Sequence, residues 1–571
     1  MSSVGVDVQR RACCWGGLGI LLGWRSVLTR GIAVLGAVAL GAGCGDAGAD
    51  PATDAAPTDT DDPAGAVEGG VPVQLTLLPT APCVEAARRF EHTTVPLSPV
   101  EFGFDRDLVG ASVLVADLNG DGWDDLFAPG RGVHHLWWGG PDGFAQDDAA
   151  LDGLDLSDAS SASAVRLDEG LPYVLVTRYQ AENRLIRFDG EAFVDHTASW
   201  GLGGTSWRHL AAAFGDMDRD GDLDLFIGTY GPRPADAFAH PDDFEAADPP
   251  LLYRNDGGRF TLVEDLFSGP ITKSHTFSAA FLDLDDDGHP ELYIVNDFGW
   301  VRPNLLLWNR PEGLVPDDGS AGLHIPFAGM GLGIGDLNDD LIPDLVQSSW
   351  RDASVLVSRE GTWFEHARLR GVMPVLGPGY RQFFGWGTVM EDLNLNARLD
   401  IAMGFGEWDE WQSFPEQRDA LYLQQPDGTF EDASEAYGFD AMGPTRGVVA
   451  ADLNHDGHPD LVVRRFDEDL NLYLGTCTPR RWLTVRLQQP GPNPDAVGAR
   501  VVVQASSGRQ ARWVVAGTAP LHAAGGPELR FGLNRAERVD ALEVRWPDGE
   551  VSVLRDLDVD ARLEIVRQPV P

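Results

Sequence analysis

Six short acidic segments contain the side chains whose types and spacing best suit a chemical role. Each segment reads D-x-[DN]-x-[DN], has another acidic residue at position 9 and continues into an apolar stretch. Oxygens at positions 1, 3, 5 and 9, with the backbone carbonyl of position 7, can surround one hard cation. The candidate ligands are Asp117, Asn119, Asp121, Trp123 and Asp125; Asp216, Asp218, Asp220, Asp222 and Asp224; Asp283, Asp285, Asp287, His289 and Glu291; Asp336, Asn338, Asp340 and Asp344; Asp392, Asn394, Asn396 and Asp400; and Asp452, Asn454, Asp456, His458 and Asp460.

Calcium is the cation that these segments predict, since it accepts six to eight oxygens from a short flexible loop. An EF-hand would need flanking helices, but strand-like runs such as 225–227 follow at once. One acidic loop could be a solvated turn, whereas six in register predict ion sites. Glycine at position 6 permits a sharp turn in four loops. The Asp336 loop has Leu341 there and the Asp392 loop has only two carboxylates, so we expect four to six calcium ions.

The acidic segments also mark a repeat, with starts roughly 50 to 70 residues apart. A seventh place, at Asp168, fits the spacing but lacks the ligands. This length suits four short strands with their turns, and Gly-containing turns between apolar runs predict hairpins. We therefore predict an all-β fold: a seven-bladed β-propeller over residues 79–477 and a small β domain over residues 478–571.

The two ends of the repeat region predict how the propeller closes. The seventh unit lacks a fourth strand after Leu474, whereas Phe90-Glu91-His92-Thr93 resembles the fourth strands of other units. An N-terminal strand that completes the last blade would leave no wide exposed edge. Cys83 and Cys477 would then lie together and form a disulfide in an oxidising compartment. The alternative is two unpaired buried thiols.

The acidic loops resemble the FG-GAP/VCBS repeats of integrin-α-type propellers over roughly residues 83–477. The C-terminal part is similar to the ASPIC/UnbV domain that follows such repeats in the cartilage acidic protein-like family. The matching segments are Trp482-Leu483-Thr484-Val485, Gly498-Ala499-Arg500-Val501, Gln510, Phe531-Gly532-Leu533 and Val544-Arg545-Trp546-Pro547-Asp548-Gly549. The resemblance implies a propeller followed by a small domain that caps it or packs on it.

Loops between the second and third strands of the units should lie on the face opposite the acidic loops. They are long and aromatic, and include Tyr179, Tyr230, residues 231–250, Phe298, Trp300, Trp350, Trp408, Trp411 and Phe414. Aromatic faces beside charged groups can bind a sugar chain or an extended peptide, although aromatic residues also fill the space between blades. We expect a surface glycan or protein as the partner.

Catalytic motifs such as GxSxG, HExxH, a P-loop and CxxC do not occur in the sequence. We therefore predict a binding or adhesion module with no catalytic residues and no cofactor besides calcium. Two alternatives stay open: a carbohydrate-active enzyme, as a polysaccharide lyase or hydrolase, and a structural envelope protein. A central cluster of Arg, Tyr, His and carboxyl groups with shifted pKa values would favour the enzyme.

The N-terminus predicts export. Residues 1–43 combine arginines with an apolar run that ends in small residues before Cys44, as in a lipoprotein signal peptide. Cys44 would carry a lipid anchor, the alternative being cleavage by an ordinary signal peptidase. Residues 44–78 read as a flexible acidic tether. The net charge of −45 opposes nucleic-acid binding. We expect a cell-envelope location, lipid-anchored or secreted, with the lipid as the only membrane contact.

Overall fold

The structure is a computed structural model, and it describes residues 66–86, 89–97, 111–130, 132–231, 248–263, 275–300, 302–350, 352–365, 367–373, 383–406, 417–466, 468–521 and 523–569. All of them belong to one compact unit, Asp61–Pro571. The helices of the described part are one 3-10 turn, Asp148–Leu151, and two α-helical turns, Ala367–Arg370 and Ser434–Tyr437. None is long and apolar enough to cross a membrane. The predicted all-β fold is confirmed. The predicted signal peptide and Cys44 lie outside the described residues.

Seven antiparallel sheets among the described residues share one topology, with four strands that pair in order. Sheet 1 contains Val113–Ala116, Asp125–Ala128, His135–Trp138 and Ala145–Gln146; sheet 2 contains Ala159–Val165, Tyr173–Arg178, Arg184–Phe188 and Phe193–Asp195. Sheet 3 contains His209–Gly215, Asp224–Thr229, Leu251–Asn255 and Phe260–Leu262; sheet 4 contains His275–Leu282, Glu291–Asp297, Leu305–Arg310 and Gly313–Pro316. Sheet 5 contains Gly329–Gly335, Asp344–Ser349, Ala353–Arg359 and Thr362–Glu365; sheet 6 contains Gly385–Glu391, Asp400–Phe405, Ala420–Gln424 and Phe430–Asp432. Sheet 7 contains Thr445–Ala451, Asp460–Arg465, Leu470–Gly475 and Phe90–Val95.

Burial within each sheet falls from the first strand to the fourth. In sheet 3 every residue of His209–Gly215 and Asp224–Thr229 is buried, whereas Phe260–Leu262 buries only its first residue. This explains why the first two strands read as continuous runs of small and apolar residues and not as an alternating pattern. The first strands of successive sheets contact one another, and the first strand of sheet 7 contacts that of sheet 1. Repeated four-stranded sheets in this arrangement form a β-propeller fold.

The N-terminal strand Phe90–Val95 pairs with Leu470–Gly475, as the sequence predicts. The chain around it is held by the predicted disulfide, which joins Cys83 to Cys477 with a Cα–Cα distance of 5.2 Å. Beside the disulfide, the N–H of Cys477 donates to the carbonyl of Val84 at 2.9 Å. The alternative of two unpaired thiols is therefore wrong.

The C-terminal β domain has two sheets that share one core and uses strands from both ends of the chain. Sheet 8 contains, in pairing order, Ala66–Gly70, Val551–Leu557, Val539–Arg545, Arg500–Ala505 and Gly508–Trp513; sheet 9 contains Val73–Leu78, Ala561–Arg567, Arg481–Gln488 and Leu529–Asn534. The prediction of a tether is wrong for residues 66–78. Val71 is buried, and Val73 and Leu75 pack on the domain core, so this segment has enough apolar surface to fold. Residues 44–65 lie outside the described part.

Residues 514–521 and 523–527, here named the crossing segment, leave the C-terminal domain and run across the first strands of the sheets. Ala516–Gly517 pairs with the first strand of sheet 3, and Ala523–Ala524 pairs in parallel with the first strand of sheet 1. Between them, the carbonyls of Ala519 and Pro520 accept N–H groups from sheets 5 and 6 at 2.8 and 3.3 Å. The crossing segment thus ties sheets 1, 3, 5 and 6 to the C-terminal domain.

A further small sheet pairs Gln417–Arg418 with Met442–Gly443.

Candidate metal centre

The six acidic loops lie between the first and second strands of sheets 1, 3, 4, 5, 6 and 7. Position 1 directly follows the first strand, and position 9 is the first residue of the second strand in every case. In sheet 2 the same connection contains Asp168, the third residue after the first strand, which accepts hydrogen bonds from the hydroxyl of Tyr173 at 3.0 Å and from Arg187 at 3.1 Å. The repeat therefore places six candidate sites on one face of the sheets.

All six loops share one backbone conformation, with positive φ at positions 4 and 6. In the Asp216 loop these angles are 61° at Arg219 and 97° at Gly221. Leu341 and Ala397 occupy position 6 of two loops without glycine, yet their φ angles are 68° and 73°. A non-glycine residue in this region is destabilised by roughly 1–2 kcal/mol. Loss of the glycine therefore adds strain but leaves the turn geometry unchanged.

Carboxylates at positions 1 and 9 hold the loop in this shape. In the Asp216 loop, the N–H of Gly221 donates to Asp216 at 3.0 Å. Asp224 accepts one N–H from Met217 at 2.8 Å and another, at 2.9 Å, from Asn255 on the third strand. Each carboxylate oxygen has a second lone pair, which remains available to a cation. The bond to position 1 recurs from Gly122, Gly288, Leu341, Ala397 and Gly457.

Burial raises the pKa of these carboxyl groups because it removes them from water. It raises the pKa of Asp125 to about 7, of Asp224 to about 8 and of Glu291 to about 9. At position 1, burial and then the neighbouring carboxylates raise the pKa of Asp216 to about 6. Ionised carboxylates packed this closely out of water need a positive partner. A bound cation would supply that charge.

Two loops bring three carboxyl groups together. In each group the ligand oxygens lie within 4.8 Å of one another: Asp216, Asp218 and Asp224 form one, and Asp283, Asp285 and Glu291 form the other. Oδ1 of Asp283 is buried and has no hydrogen-bond partner among the described residues, so it is free to coordinate. These hard oxygens fit a calcium ion. One ion would be held by Asp216, Asp218 and Asp224, and a second by Asp283, Asp285 and Glu291.

Asparagine at position 3 changes the donor set of three other loops. Its side-chain nitrogen donates to the carboxylate at position 5, over 3.1 Å in the Asp117 loop and 3.0 Å in the Asp336 and Asp452 loops. The predicted ligands Asn119, Asn338 and Asn454 therefore lie beside Asp121, Asp340 and Asp456. In the part of the chain that the structure describes, three carboxyl groups converge only in the Asp216 and Asp283 loops.

Segments beside the disulfide cover the Asp452 loop. Asp456 accepts an N–H from Val84 at 3.2 Å, and Nε2 of His458 accepts one from Thr478 at 3.2 Å. Asp452 is 1% exposed. The predicted ligands of this loop are thus brought together beneath the disulfide-linked chain, away from solvent.

Arginines of the C-terminal domain contact the Asp283 and Asp117 loops. Arg545 and Arg500 both donate to Asp286, at position 4 of its loop, and Nη1 of Arg486 lies 3.9 Å from Asp117. Sequence reasoning missed these contacts. The available signal was that almost all 43 basic residues are arginines, which suit paired contacts with carboxylates. The loop face is therefore an interface between two domains as well as a candidate ion-binding face.

Comparison with known families agrees with this architecture. The model of the FG-GAP-like repeat matches residues 168–227 and 392–463, and the model named ASPIC and UnbV matches residues 489–570. The chain contains FG-GAP-like repeats and a C-terminal ASPIC/UnbV domain. The matched FG-GAP-like repeats include the Asp216, Asp392 and Asp452 loops. The crossing segment belongs to the ASPIC/UnbV domain.

Several solved structures are similar at low identity. BBS1N in complex with ARL6DN is 10% identical, with 69% of this chain and 99% of that chain covered and a TM-score of 0.41. YCF48 bound to D1 peptide is 10% identical, covering 70% and 98%, with a TM-score of 0.38. The rhamnogalacturonan lyase PL11 of Bacillus licheniformis is 13% identical, covering 71% and 75%, with a TM-score of 0.33. No curated protein matches the sequence.

Aromatic residues on the face opposite the FG-GAP-like loops divide into a buried cluster and an exposed edge. Tyr179, Tyr230 and Phe298 are buried and pack with Leu521 of the crossing segment. Trp300 is 46% exposed, and its ring centroid lies 6.0 Å from that of Trp350. Packing thus explains most of these aromatic residues, and Trp300 remains accessible. Trp408, Trp411 and Phe414 lie outside the described residues.

Two pairs of titratable groups lie near the crossing segment. The hydroxyl of Tyr230 donates to Asp297 at 2.7 Å. A cavity of about 190 Å³ between the ASPIC/UnbV domain and sheets 5 to 7 is lined by charged residues that include Glu391 and Arg530, whose ion pair measures 3.1 Å. Burial lowers the pKa of His209 to about 4, so this imidazole is neutral at pH 7. The charges of the cavity therefore contribute to the domain contact.

Proposed function

We propose that this protein is an exported, calcium-stabilised propeller that binds a surface glycan or protein through the aromatic face opposite its FG-GAP-like loops. The observation that carries the proposal is the accessible ring of Trp300 beside Trp350, on a face that the ASPIC/UnbV domain leaves open around that side chain. Large aromatic rings with one accessible face are frequent anchors in recognition sites. Calcium would act at the other face by fixing the loops.

The proposal includes a ring of seven blades. Two observations support it: the first strands of the seven sheets contact one another in sequence, and the strand Phe90–Val95 pairs into sheet 7. A ring closed in this way has no wide unpaired sheet edge.

Calcium binding has a direct test at Asp218, an exposed ligand candidate of the Asp216 loop. Asp218→Asn removes one of three converging negative charges and is expected to weaken calcium binding at this loop at least tenfold, because affinity depends on ligand charge. Isothermal titration of the chelated protein measures it. Asp142→Asn, at an exposed aspartate outside the loops, should leave binding unchanged. Equal calcium affinity in all three proteins would exclude an ion in this loop.

Recognition has its test at Trp300. The purified protein is screened against glycans and cell-envelope components in millimolar calcium. Trp300→Ala is expected to reduce binding of the best ligand about tenfold or more, because an aromatic side chain that becomes buried against a ligand contributes strongly to affinity. Phe364→Ala is the matched control, since this side chain is also exposed, at 45%, but lies on a fourth strand. Equal losses in both variants, or none in Trp300→Ala, would contradict the proposal.

A non-enzymatic role is part of the proposal. Propellers that catalyse reactions commonly use the space at the centre of the sheets, and the crossing segment hydrogen-bonds to the first strands there. The measurement is incubation with acidic and neutral polysaccharides, followed by assays for new reducing ends and unsaturated uronate. Chain cleavage lost on substitution of Tyr230 or Asp297 would favour the enzyme alternative.

Export and lipid attachment at Cys44 complete the proposal. The signal-like residues 1–43 and the Cys83–Cys477 disulfide, which suits an oxidising compartment, support this location. Mass spectrometry of the mature N-terminus tests it: a diacylated cysteine at position 44 is expected, and Cys44→Ser should release the protein from membranes. An unmodified N-terminus elsewhere would contradict the anchor and leave simple secretion.

A further inference from the structure

The FG-GAP-like loop at Asp392 differs from the Asp216 loop in its surroundings. Its four predicted ligands, Asp392, Asn394, Asn396 and Asp400, are at most 7% exposed. The Asp216 loop, in contrast, keeps an exposed carboxylate at position 3. A cation could reach the Asp392 loop only by displacing the groups that cover it.

The side chain at position 3 distinguishes this loop from the Asp216 loop. The Asp392 carboxylate accepts N–H groups from Asn396 at 2.9 Å and Ala397 at 2.6 Å, as Asp216 does from the matching positions of its own loop. The side-chain nitrogen of Asn394 donates to Oδ2 of Asp400 at 2.8 Å. Position 3 therefore presents a donor to the position-9 carboxylate, whereas in a metal loop it would present an oxygen to the ion.

The ASPIC/UnbV domain supplies a positive charge at the same loop. The guanidinium of Arg480, at the start of the domain, donates to both the backbone carbonyl and Oδ1 of Asn394. Gly532 packs so closely that a Cβ there would lie 2.0 Å from a carboxylate oxygen of the loop. The N–H of Asn534 donates to the carbonyl of Leu395 at 3.0 Å. The strand Leu529–Asn534 and the residue directly before the strand Arg481–Gln488 thus both contact this one loop.

We propose that the Asp392 loop is a docking site for the C-terminal domain, in which the guanidinium of Arg480 binds the position-3 side chain that would otherwise ligate a metal ion. The contrast with the ion-binding loops rests on the proposed function. Docking here needs no calcium, so the domain stays attached at this loop when calcium is withdrawn from the Asp216 and Asp283 loops. A charged donor makes this contact stronger than a neutral hydrogen bond would be.

Crystals of the full-length chain grown in millimolar calcium test the contrast between loops. Long-wavelength anomalous difference density is expected in the Asp216 and Asp283 loops, and none is expected between Asp392 and Asp400. A calcium peak in the Asp392 loop would overturn the inference. Missing peaks in the other two loops would instead defeat the proposed calcium binding, and the docking role would then be decided by the Arg480 variant.

Arg480→Met removes the charge at nearly constant length. In excess chelator, amide exchange within Leu529–Asn534 is expected to be about tenfold faster than in the unmodified protein, since both hydrogen bonds from the charged guanidinium to Asn394 are lost. Arg481→Met is the matched control, because the neighbouring Arg481 is more exposed and contacts Asp560 within the domain. Equal exchange rates in the three proteins would overturn the docking role.

Discussion

Serine at both Cys83 and Cys477 is expected to lower the free energy of unfolding by roughly 4 to 5 kcal/mol. The two residues are separated by 394 positions, and the entropy that a disulfide removes from the unfolded chain grows with the length of the loop it closes. The bond also fixes the chain on both sides of the pair formed by Phe90–Val95 and Leu470–Gly475. Without it, that pairing depends on backbone hydrogen bonds and side-chain packing alone.

Guanidinium unfolding in saturating calcium measures this loss. The unmodified protein in strong reductant should behave like the double serine variant, which separates the effect of the bond from that of the substitutions. Amide exchange of Leu470–Gly475 shows whether sheet 7 unfolds in the first transition. If it does, unfolding begins at that sheet. A change below about 1 kcal/mol would mean that native pairing alone holds the N-terminal strand.

Alanine at Leu521 is expected to destabilise the protein by about 3 to 5 kcal/mol, because a buried leucine is replaced in a site that cannot collapse fully. Leu521 is 1% exposed and packs among Tyr179, Tyr230 and Trp386, which lie in or directly after strands of three different sheets. Its loss leaves a cavity where the crossing segment reaches the aromatic cluster. The same change should loosen the crossing segment, since Leu521 is the largest buried apolar side chain in the described part of that segment.

Thermal unfolding and limited proteolysis within residues 514–527 measure both effects. Leu77→Ala is the matched control: this leucine lies in the same domain but is 47% exposed, so truncation should change stability by less than about 0.5 kcal/mol. If Leu521→Ala unfolds like the control and resists proteolysis as well as the unmodified protein does, the crossing segment is held by its backbone hydrogen bonds. The contacts of Thr518, whose hydroxyl accepts the N–H of Ala212 at 2.9 Å, would then be the anchor.

The sequence determines the features that depend on neighbouring residues. Spacing of the acidic residues predicts the loops, and the structure places position 9 at the start of the second strand each time. Phe193, Phe260 and Phe430 begin fourth strands, and Phe90 likewise begins the strand that completes sheet 7. These features repeat along the chain, and each is formed by local hydrogen bonds and turns, so pattern alone reveals them. The pairing of Cys83 with Cys477 follows from the same repeat, because one strand is missing at its end.

Tertiary structure alone decides how the two domains meet. Arg545 binds Asp286 across 259 positions, and Thr518 contacts Ala212 across 306, and neither contact belongs to a periodic pattern. The sequence of residues 66–78 is typical of a linker. In the structure this segment pairs with strands of the C-terminal domain, and its apolar side chains Val73 and Leu75 pack on the core of that domain. The Asp216 and Asp392 loops have similar sequences but different surroundings. The first is an open cluster of carboxyl groups, and the second is bound by Arg480, because the groups that cover each loop come from distant residues. Local sequence sets each loop's shape, and the docked domain sets its exposure and its charge partners.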